Sequence, residues 1–209
     1  MLRLDHVLMP VADLDAEGQR LVEEFGLASV EGGRHEAFGT ANRIVPLGDA
    51  YLEIVAVVEP EVAGAAPFGR WVAAAASRGG LGAYALSTPD LDAVARRLGG
   101  MAVIPGERRR PDGTVLRWRL AGQETALAEP FLPFFLTWDV PAGAHPSRER
   151  AVHSVRVRGL ERLEVAGDED RLRRWLDTDP AELGVHVVPG PPAVRSLTVS
   201  TDVGSLAIP

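Results

Sequence analysis

The sequence predicts an α+β protein in which paired βαβββ modules form a cupped mixed sheet with the helices outside, followed by a C-terminal βαββ extension. Residues 3–9 and 50–56 are short, mostly apolar runs typical of strands, and each has an ionisable side chain in its middle, His6 in the first and Glu53 in the second. The sequence Asp-Leu-Asp-Ala at residues 13–16 also recurs 77 residues later. This internal repeat indicates that the first module is duplicated.

The composition is that of a globular protein with a small-molecule or protein partner. The 209 residues, 46% of them hydrophobic, are enough for a core in one or two domains. There is no cysteine, which excludes thiol nucleophiles and disulfides, and all 22 basic residues are arginines, which excludes lysine chemistry. The net charge of −7 argues against binding to nucleic acid or to an anionic membrane. No stretch approaches 18 uninterrupted apolar residues, and the first residues do not show a basic region followed by an apolar one. These two observations favour a cytoplasmic protein.

The first module is predicted to begin with a strand and a helix. In the strand at 3–9, alternation places His6 on one face and Asp5 on the other. Asp13 is a suitable N-cap for the following helix, and Gly26 is a suitable C-terminal stop. The first strand therefore offers His6 to the inside of the cup.

The rest of the first module is predicted as a loop and a hairpin. Residues 30–42 are rich in glycine and polar side chains, which predicts a loop. Two strands, 41–47 and 50–57, follow and are joined by a turn at residues 48–49. Alternation then places Glu53 on the face that points into the cup.

The second module repeats this order. A connecting helix is predicted at 67–78, and a second helix is predicted to begin at Pro89 with Thr88 as its cap. A hairpin of this module turns at residues 111–113. The C-terminal extension is predicted to contain a strand at 160–166, a helix at 169–176 and two further strands at 184–188 and 193–200. The predicted units are residues 1–58 (first module), 59–80 (connecting helix), 81–140 (second module), 141–159 (linker) and 160–209 (extension).

His6 and Glu53 are the first candidates for chemistry. An imidazole and a carboxylate that face each other can bind a divalent metal ion or act as an acid–base pair. The alternative is structural, with the histidine hydrogen-bonded in the core and the glutamate paired with an arginine. Two arginines, Arg117 and Arg119, alternate with apolar residues and are predicted to point into the cup, where a guanidinium could hold a carboxylate. Residues 108–110 are predicted to be a solvated hairpin tip.

A set of short motifs is spread over most of the chain: Leu4-Asp-His-Val7 followed by Val-Ala-Asp-Leu-Asp, Gly32-Gly-Arg-His35, Gly39-Thr-Ala-Asn42, Tyr51-Leu-Glu-Ile-Val55, Pro111-Asp-Gly-Thr-Val-Leu-Arg-Trp-Arg119, Pro133-Phe-Phe-Leu-Thr-Trp138 and His145-Pro146. Together these motifs resemble the glyoxalase-like branch of the vicinal oxygen chelate superfamily, and the resemblance covers most of the chain.

The resemblance implies a metal site that is only half present. Metal-dependent members of the superfamily take ligands from the first and last strands of both modules. His6 and Glu53 match the first pair, but the repeat places Ala83 and Thr137 where the second pair is expected. His35 from its loop could complete a three-ligand site, as could His145. The expected cofactor is therefore none, or a divalent metal ion held by His6 and Glu53.

The resulting prediction is a lyase-type or isomerase-type enzyme acting on a small oxygenated or carboxylate-bearing molecule. Glu53 is predicted as the general base, with His6 and His35 as metal ligands or as donors to a developing enediolate. The predicted substrate-binding residues are Asn42, Tyr51, Arg119, Trp138 and His145. The alternatives are a non-catalytic protein that sequesters a drug or metabolite in the same cup, and a degenerate scaffold in which the C-terminal unit mediates homodimerisation.

Overall fold

The computed structural model describes residues 1–209, apart from the side chain of Ala142, and contains an eight-stranded closed barrel and a separate four-stranded sheet. The barrel strands are β1 (Arg3–Pro10), β2 (Val30–His35), β3 (Thr40–Leu47), β4 (Ala50–Val57), β5 (Ala83–Ser87), β6 (Ile104–Arg109), β7 (Val115–Ala121) and β8 (Phe134–Asp139). The second sheet contains β9 (Val157–Ala166), β10 (Val185–Val188), β11 (Ala193–Thr201) and β12 (Gly204–Ile208). The helices are α1 (Leu14–Phe25), α2 (Pro60–Ala65), α3 (Pro67–Ala76), α4 (Leu91–Arg97), α5 (Gln123–Ala128) and α6 (Glu169–Leu176). The predicted α+β class and the paired modules are confirmed.

The barrel consists of two modules with the same internal strand order. The first contributes β1-β4-β3-β2 and the second contributes β6-β7-β8-β5, after which β5 pairs with β1. In each module the first and last strands are parallel. Between β2 and β6 the barrel is closed by one residue pair, Arg34 and Arg109. The interior is thus enclosed by two equivalent halves.

The repeated Asp-Leu-Asp-Ala sequence marks the same helix cap in both modules. The Asp13 side chain accepts hydrogen bonds from backbone N–H groups at the start of α1, and Asp90 does the same for Ala93 in α4. The prediction of Thr88 as the second cap is wrong, because the Thr88 hydroxyl accepts a hydrogen bond from the backbone of Asp90 instead. The aspartate carboxylate therefore caps the helix in each copy.

The glycine-rich segment predicted as a loop is mostly a strand. Gly33 has φ 139°, and a Cβ added there would lie 2.1 Å from the carbonyl oxygen of Arg109. Only glycine permits this close approach of β2 to β6. The loop prediction was wrong because Gly33 allows β2 to lie against β6 where the barrel closes, and does not form a turn.

The C-terminal extension is not a third copy of the repeat. Its strand order is β10-β9-β11-β12, with β9 and β10 parallel, and its last strand was not predicted. Apolar side chains of this sheet, such as Leu163 and Val165, share one core with Val7 and Leu52 on the outer faces of β1 and β4. A separate apolar cluster fills the barrel interior. None of the helices, across the part of the chain that the structure describes, is long and apolar enough to cross a membrane.

Candidate active site

The parallel pairing of β1 and β4 brings His6 and Glu53 together inside the barrel. The register places His6 beside Tyr51 and Leu8 beside Glu53. His6 Nε2 lies 3.5 Å from Glu53 Oε2, and both side chains are buried. The Tyr51 ring stacks on the imidazole of His6 with 4.7 Å between ring centroids. The two residues singled out in the sequence therefore form one buried pair.

Asp5, which sequence alternation placed on the opposite face, contacts the ring nitrogen of His6 that faces away from Glu53. A β-bulge between Leu4 and His6 interrupts the pairing of β1 with β5 at this residue. Asp5 Oδ1 lies 2.7 Å from His6 Nδ1, and Asp5 Oδ2 accepts a hydrogen bond from Trp138 Nε1 at 3.1 Å. His145 Nε2 lies 3.2 Å from the same oxygen, so His145 contacts Asp5 and does not line the cavity.

Asp5 contributes to stability in a pH-dependent way. Burial alone would raise the pKa of its carboxyl group, but hydrogen bonds from His145 and His6 outweigh burial and hold the pKa well below its usual value of 3.8. The native carboxylate thus stays ionised where the unfolded one takes up a proton. Its stabilising contribution is present above about pH 3.9 and is lost as the pH falls towards the lower native pKa.

We expect Asp5→Asn to lower the free energy of unfolding at pH 7 by about 2 kcal/mol, since a buried, charged acceptor of three hydrogen bonds is lost. The difference from the wild type should shrink as the pH falls below about 3.9. Urea unfolding at a series of pH values measures both effects. Asp49→Asn, at a surface ion pair with Arg148, is the matched control. An Asp5→Asn difference that does not change with pH would contradict the assignment.

The other side of Glu53 is held by an amide and a guanidinium. Asn42 Nδ2 donates to Glu53 Oε1 at 2.7 Å, and Arg108 Nη1 donates to Asn42 Oδ1 at 3.1 Å. A Cβ on Gly32 would lie 2.2 Å from Asn42 Oδ1, so glycine is required beside this contact. The prediction of Arg108 in a solvated hairpin tip is wrong, because its side chain points into the barrel and only 2% of the residue is exposed.

Arg108 retains unused hydrogen-bonding capacity. Its Nε and Nη2 atoms are buried and have no hydrogen-bond partner among the described residues. Burial lowers the pKa of this guanidinium, but arginine starts so high that it remains charged at neutral pH. Buried charged donors without partners are rare in folded proteins, and they indicate a site for an anionic or oxygen-bearing ligand.

The two arginines expected inside the cup lie outside it. Arg119 pairs with Asp92 at 3.2 Å and Arg117 with Glu107 at 3.4 Å, and both arginines are exposed. The inner face of β7 is instead apolar, with Trp118 packed over Gly106. The prediction for Arg119 was wrong because the apolar face of β7 serves the barrel interior and not the helices.

His35 completes the cavity as a neutral imidazole. Its Nε2 lies 3.8 Å from Glu53 Oε1, and its Nδ1 lies 3.1 Å from Thr40 Oγ1. Burial lowers the pKa of His35 from 6.5 to about 4. Between these two values the unfolded chain binds a proton that the native protein does not, so stability should decrease as the pH falls from 6.5 to about 4.

We expect the ring resonances of His35 to keep their neutral shifts from pH 7 down to pH 5, as followed by histidine NMR. In His35→Gln, where an amide can still reach Thr40, unfolding measurements should show less loss of stability over this range. Titration of the His35 ring near its usual pKa of 6.5 would show that burial does not control it.

These side chains surround a cavity of about 40 Å³. Its polar lining consists of His6, His35, Asn42, Glu53, Arg108 and Gln123, and its aromatic lining consists of Phe38, Tyr51, Phe68, Trp118, Phe134 and Trp138. Burial raises the pKa of Tyr51, which therefore stays a neutral phenol. The structure thus gathers most of the sequence candidates in one chamber. Arg119 lies outside the barrel, and His145 lies behind His6.

The second module offers no matching polar pair. The repeat aligns Leu8 with Ala85, and Ala85 pairs with Phe134 as Leu8 pairs with Glu53. Phe134 therefore occupies the place equivalent to Glu53, and the expectation of Thr137 there is wrong. Thr137 is paired with Arg119 in the register of β7 and β8, and both residues are on the outer face of the barrel. Among the described residues, β5 and β8 thus supply no acid–base pair, and the charged group that the second module contributes to the cavity is Arg108 of β6.

The donors in the cavity do not fit a tightly held divalent metal ion. His6 approaches one oxygen of Glu53 and His35 approaches the other. In the described part of the chain, no group of three or more His, Cys, Asp or Glu side chains is placed to hold a metal ion. The buried guanidinium of Arg108 supplies a positive charge to the same chamber, where a metal would be repelled.

Comparison with known proteins agrees with the fold and with the motifs of the sequence. A family model described as a glyoxalase-like domain matches residues 4–183. The chain belongs to this family, within the vicinal oxygen chelate superfamily. No curated protein matches the sequence of this glyoxalase-like protein.

Solved structures with the same fold include a hypothetical protein from Staphylococcus aureus. It has a TM-score of 0.68 and 19% identity, over 95% of this chain and 81% of that chain. A Streptomyces coelicolor methylmalonyl-CoA epimerase in complex with 2-nitronate-propionyl-CoA has a TM-score of 0.47 and 21% identity, over 67% of this chain and 95% of that one. The methylmalonyl-CoA epimerase from Mycobacterium tuberculosis has a TM-score of 0.45 and 23% identity, over 66% of this chain and 89% of that one. The first of these similarities shows the fold.

Proposed function

We propose that this glyoxalase-like protein is an isomerase-type or lyase-type enzyme that moves a proton at the carbon next to a carbonyl group of a small carboxylate-bearing molecule. The observation that carries the proposal is one small cavity that holds both a buried carboxylate, Glu53, and a buried guanidinium with two free donors, Arg108. A base and an anion-binding group in one desolvated chamber suit removal of a proton and stabilisation of the resulting negative charge.

Glu53 is the proposed base. Its Oε1 is fixed by the amide of Asn42, while its Oε2 lies 3.5 Å from His6 Nε2, beyond a short hydrogen bond. Oε2 can therefore accept a proton from a substrate carbon. The electron pair of the broken C–H bond moves to the substrate carbonyl oxygen, which becomes an enolate.

His6 is the proposed relay for that proton. Asp5 holds His6 Nδ1 at 2.7 Å and thereby orients Nε2 towards Glu53. A proton passed from Glu53 to His6 would give an imidazolium beside the Asp5 carboxylate, which stabilises it. Asp5 is in this account a positioning residue, because it contacts His6 and does not line the cavity.

Arg108 and His35 are the proposed partners of the substrate oxygens. The free Nε and Nη2 of Arg108 form a fork that matches a carboxylate or an enediolate. When the Thr40 hydroxyl donates to His35 Nδ1, the proton of the neutral ring is on Nε2 and faces the cavity. A neutral imidazole donor can then bind the enolate oxygen without surrendering its proton.

Proton exchange tests this function directly. In D₂O, we expect the wild-type protein to replace hydrogen by deuterium at the carbon next to the carbonyl of 2-oxo carboxylates or hydroxy ketones, which ¹H NMR follows as signal loss. The rate should exceed that of buffer by at least about 100-fold, as expected for general base catalysis. Arg108-dependent binding without any exchange would overturn the proposal.

That outcome would favour the second candidate function, a non-catalytic binding protein for a small molecule. The observation that supports it is the apolar pair of strands β5 and β8, where Ala83 and Phe134 stand in place of a second polar pair. Against it, sequestration of an apolar ligand does not need two histidines, a carboxylate and a guanidinium buried around one small chamber, since each of them costs desolvation energy.

A further inference from the structure

A larger groove adjoins the small cavity. It has a volume of about 620 Å³ and lies between the start of α3, the residues that lead into β6, and α5. Its apolar walls include Trp71, Ile104 and Leu127. This volume is within the range of small-molecule sites, roughly 300–1,000 Å³.

The groove and the cavity adjoin at a boundary of four shared side chains, which we call the doorway. Phe38, Phe68, Leu120 and Gln123 line both spaces. The Phe68 ring packs edge-on to His35 on the cavity side and stacks on Trp71 on the groove side, with 5.7 Å between the centroids of Phe68 and Trp71. A ligand that reaches Glu53 through this doorway has its remaining atoms in the groove.

The two spaces differ in charge. Among the residues that the structure describes, Arg108 lines the cavity, whereas no arginine or histidine lines the groove and Glu124 is its one charged residue. The groove therefore disfavours an anionic group and favours an uncharged one. It also provides apolar surface, which favours burial of hydrocarbon.

The small cavity cannot hold a whole substrate. A water molecule occupies at least about 10–15 Å³ of such a space, so 40 Å³ accommodates a carboxylate with an adjacent carbonyl and little else. A longer molecule can extend through the doorway into the groove. Size and charge thus select the same orientation, with the anionic end inside and the uncharged end outside.

We propose that the groove binds the uncharged, apolar chain of a ligand whose small carboxylate head is held by Arg108. The inference rests on the proposed function for the head group and adds the class of substrate, which is a medium-chain amphipathic monoanion. The groove disfavours ligands with a phosphate or a second negative charge at the distal end, because Glu124 lines it and no cation does among the residues that the structure describes.

Calorimetric titration with pyruvate, 2-oxohexanoate and 2-oxodecanoate tests this. Affinity should rise by about fourfold for each added methylene until the groove is filled. Ile104→Asp places a carboxylate at a groove position that is already 42% exposed, so the fold should tolerate it. We expect the variant to bind 2-oxodecanoate at least about tenfold more weakly and pyruvate as the wild type does. Val203→Asp, at an exposed turn of the second sheet, is the matched control.

The results separate the groove from the proposed function. Equal affinity for all chain lengths, with binding still dependent on Arg108, would overturn the groove and leave the head-group site intact. An undiminished chain-length effect in Ile104→Asp would also overturn it. A chain-length effect that Ile104→Asp removes, in a protein that exchanges no protons, would support the groove while the proposed catalysis fails. No binding of any carboxylate would overturn both.

Discussion

Arg108→Met is expected to abolish measurable binding of small carboxylates while the protein remains folded. Two charge-assisted hydrogen bonds from buried donors are worth about 3 kcal/mol, which corresponds to a loss of affinity of about 100-fold. Methionine fills similar space and carries no donor, so the cavity keeps its shape but loses its positive charge.

The stability of Arg108→Met should change little. The substitution leaves Asn42 Oδ1 without its donor, which costs about 1–3 kcal/mol. It also removes a buried guanidinium with two N–H groups that have no partner among the described residues, which offsets most of that cost. Chemical denaturation and calorimetric titration measure the two effects separately.

Two neighbouring arginines provide matched controls for Arg108→Met. Arg109→Met removes an exposed partner of Glu36, and Arg119→Met removes an exposed partner of Asp92. Neither should alter carboxylate binding. If Arg119→Met weakens binding as much as Arg108→Met, the assignment of the anion site to the inner face of β6 is incorrect.

Glu53→Gln is expected to reduce proton exchange by about 10²–10⁴-fold, because the general base is lost. Its amide oxygen can still accept the hydrogen bond from Asn42, so the network around the site is kept. Carboxylate binding should be unchanged or stronger, since a negative charge near the ligand is removed. The combination of intact binding with lost exchange is what distinguishes an enzyme from a sequestering protein.

Exchange rates in D₂O and titration of the same ligand measure this prediction. Glu107→Gln is a matched control from β6, because Glu107 is exposed and pairs with Arg117 on the outside of the barrel. Glu53→Gln that exchanges protons at the wild-type rate would show that another group is the base. His6 and His35 would then be the remaining candidates in the cavity.

The sequence by itself determined the repeated architecture and the first half of the site. Strand periodicity and the duplicated Asp-Leu-Asp-Ala cap depend on local chemistry, so the modules and their helices could be predicted. His6 and Glu53 were found from local sequence too, since each is an ionisable residue in a mostly apolar strand.

Only the tertiary structure decided which other side chains reach the cavity. Asp5 turns towards His6 because of a bulge that depends on pairing with β5, and no local signal marks it. Arg108 and Arg119 are both arginines on adjacent strands, but the Arg108 side chain is buried in the barrel and the Arg119 side chain is exposed. Which of the two is inside depends on which face of the sheet becomes the inner face of the barrel. That curvature is set where Gly33 lets β2 approach β6, a contact between segments far apart in the chain. Periodicity defines two faces of a strand, but only the closure of the barrel determines which face is the inside.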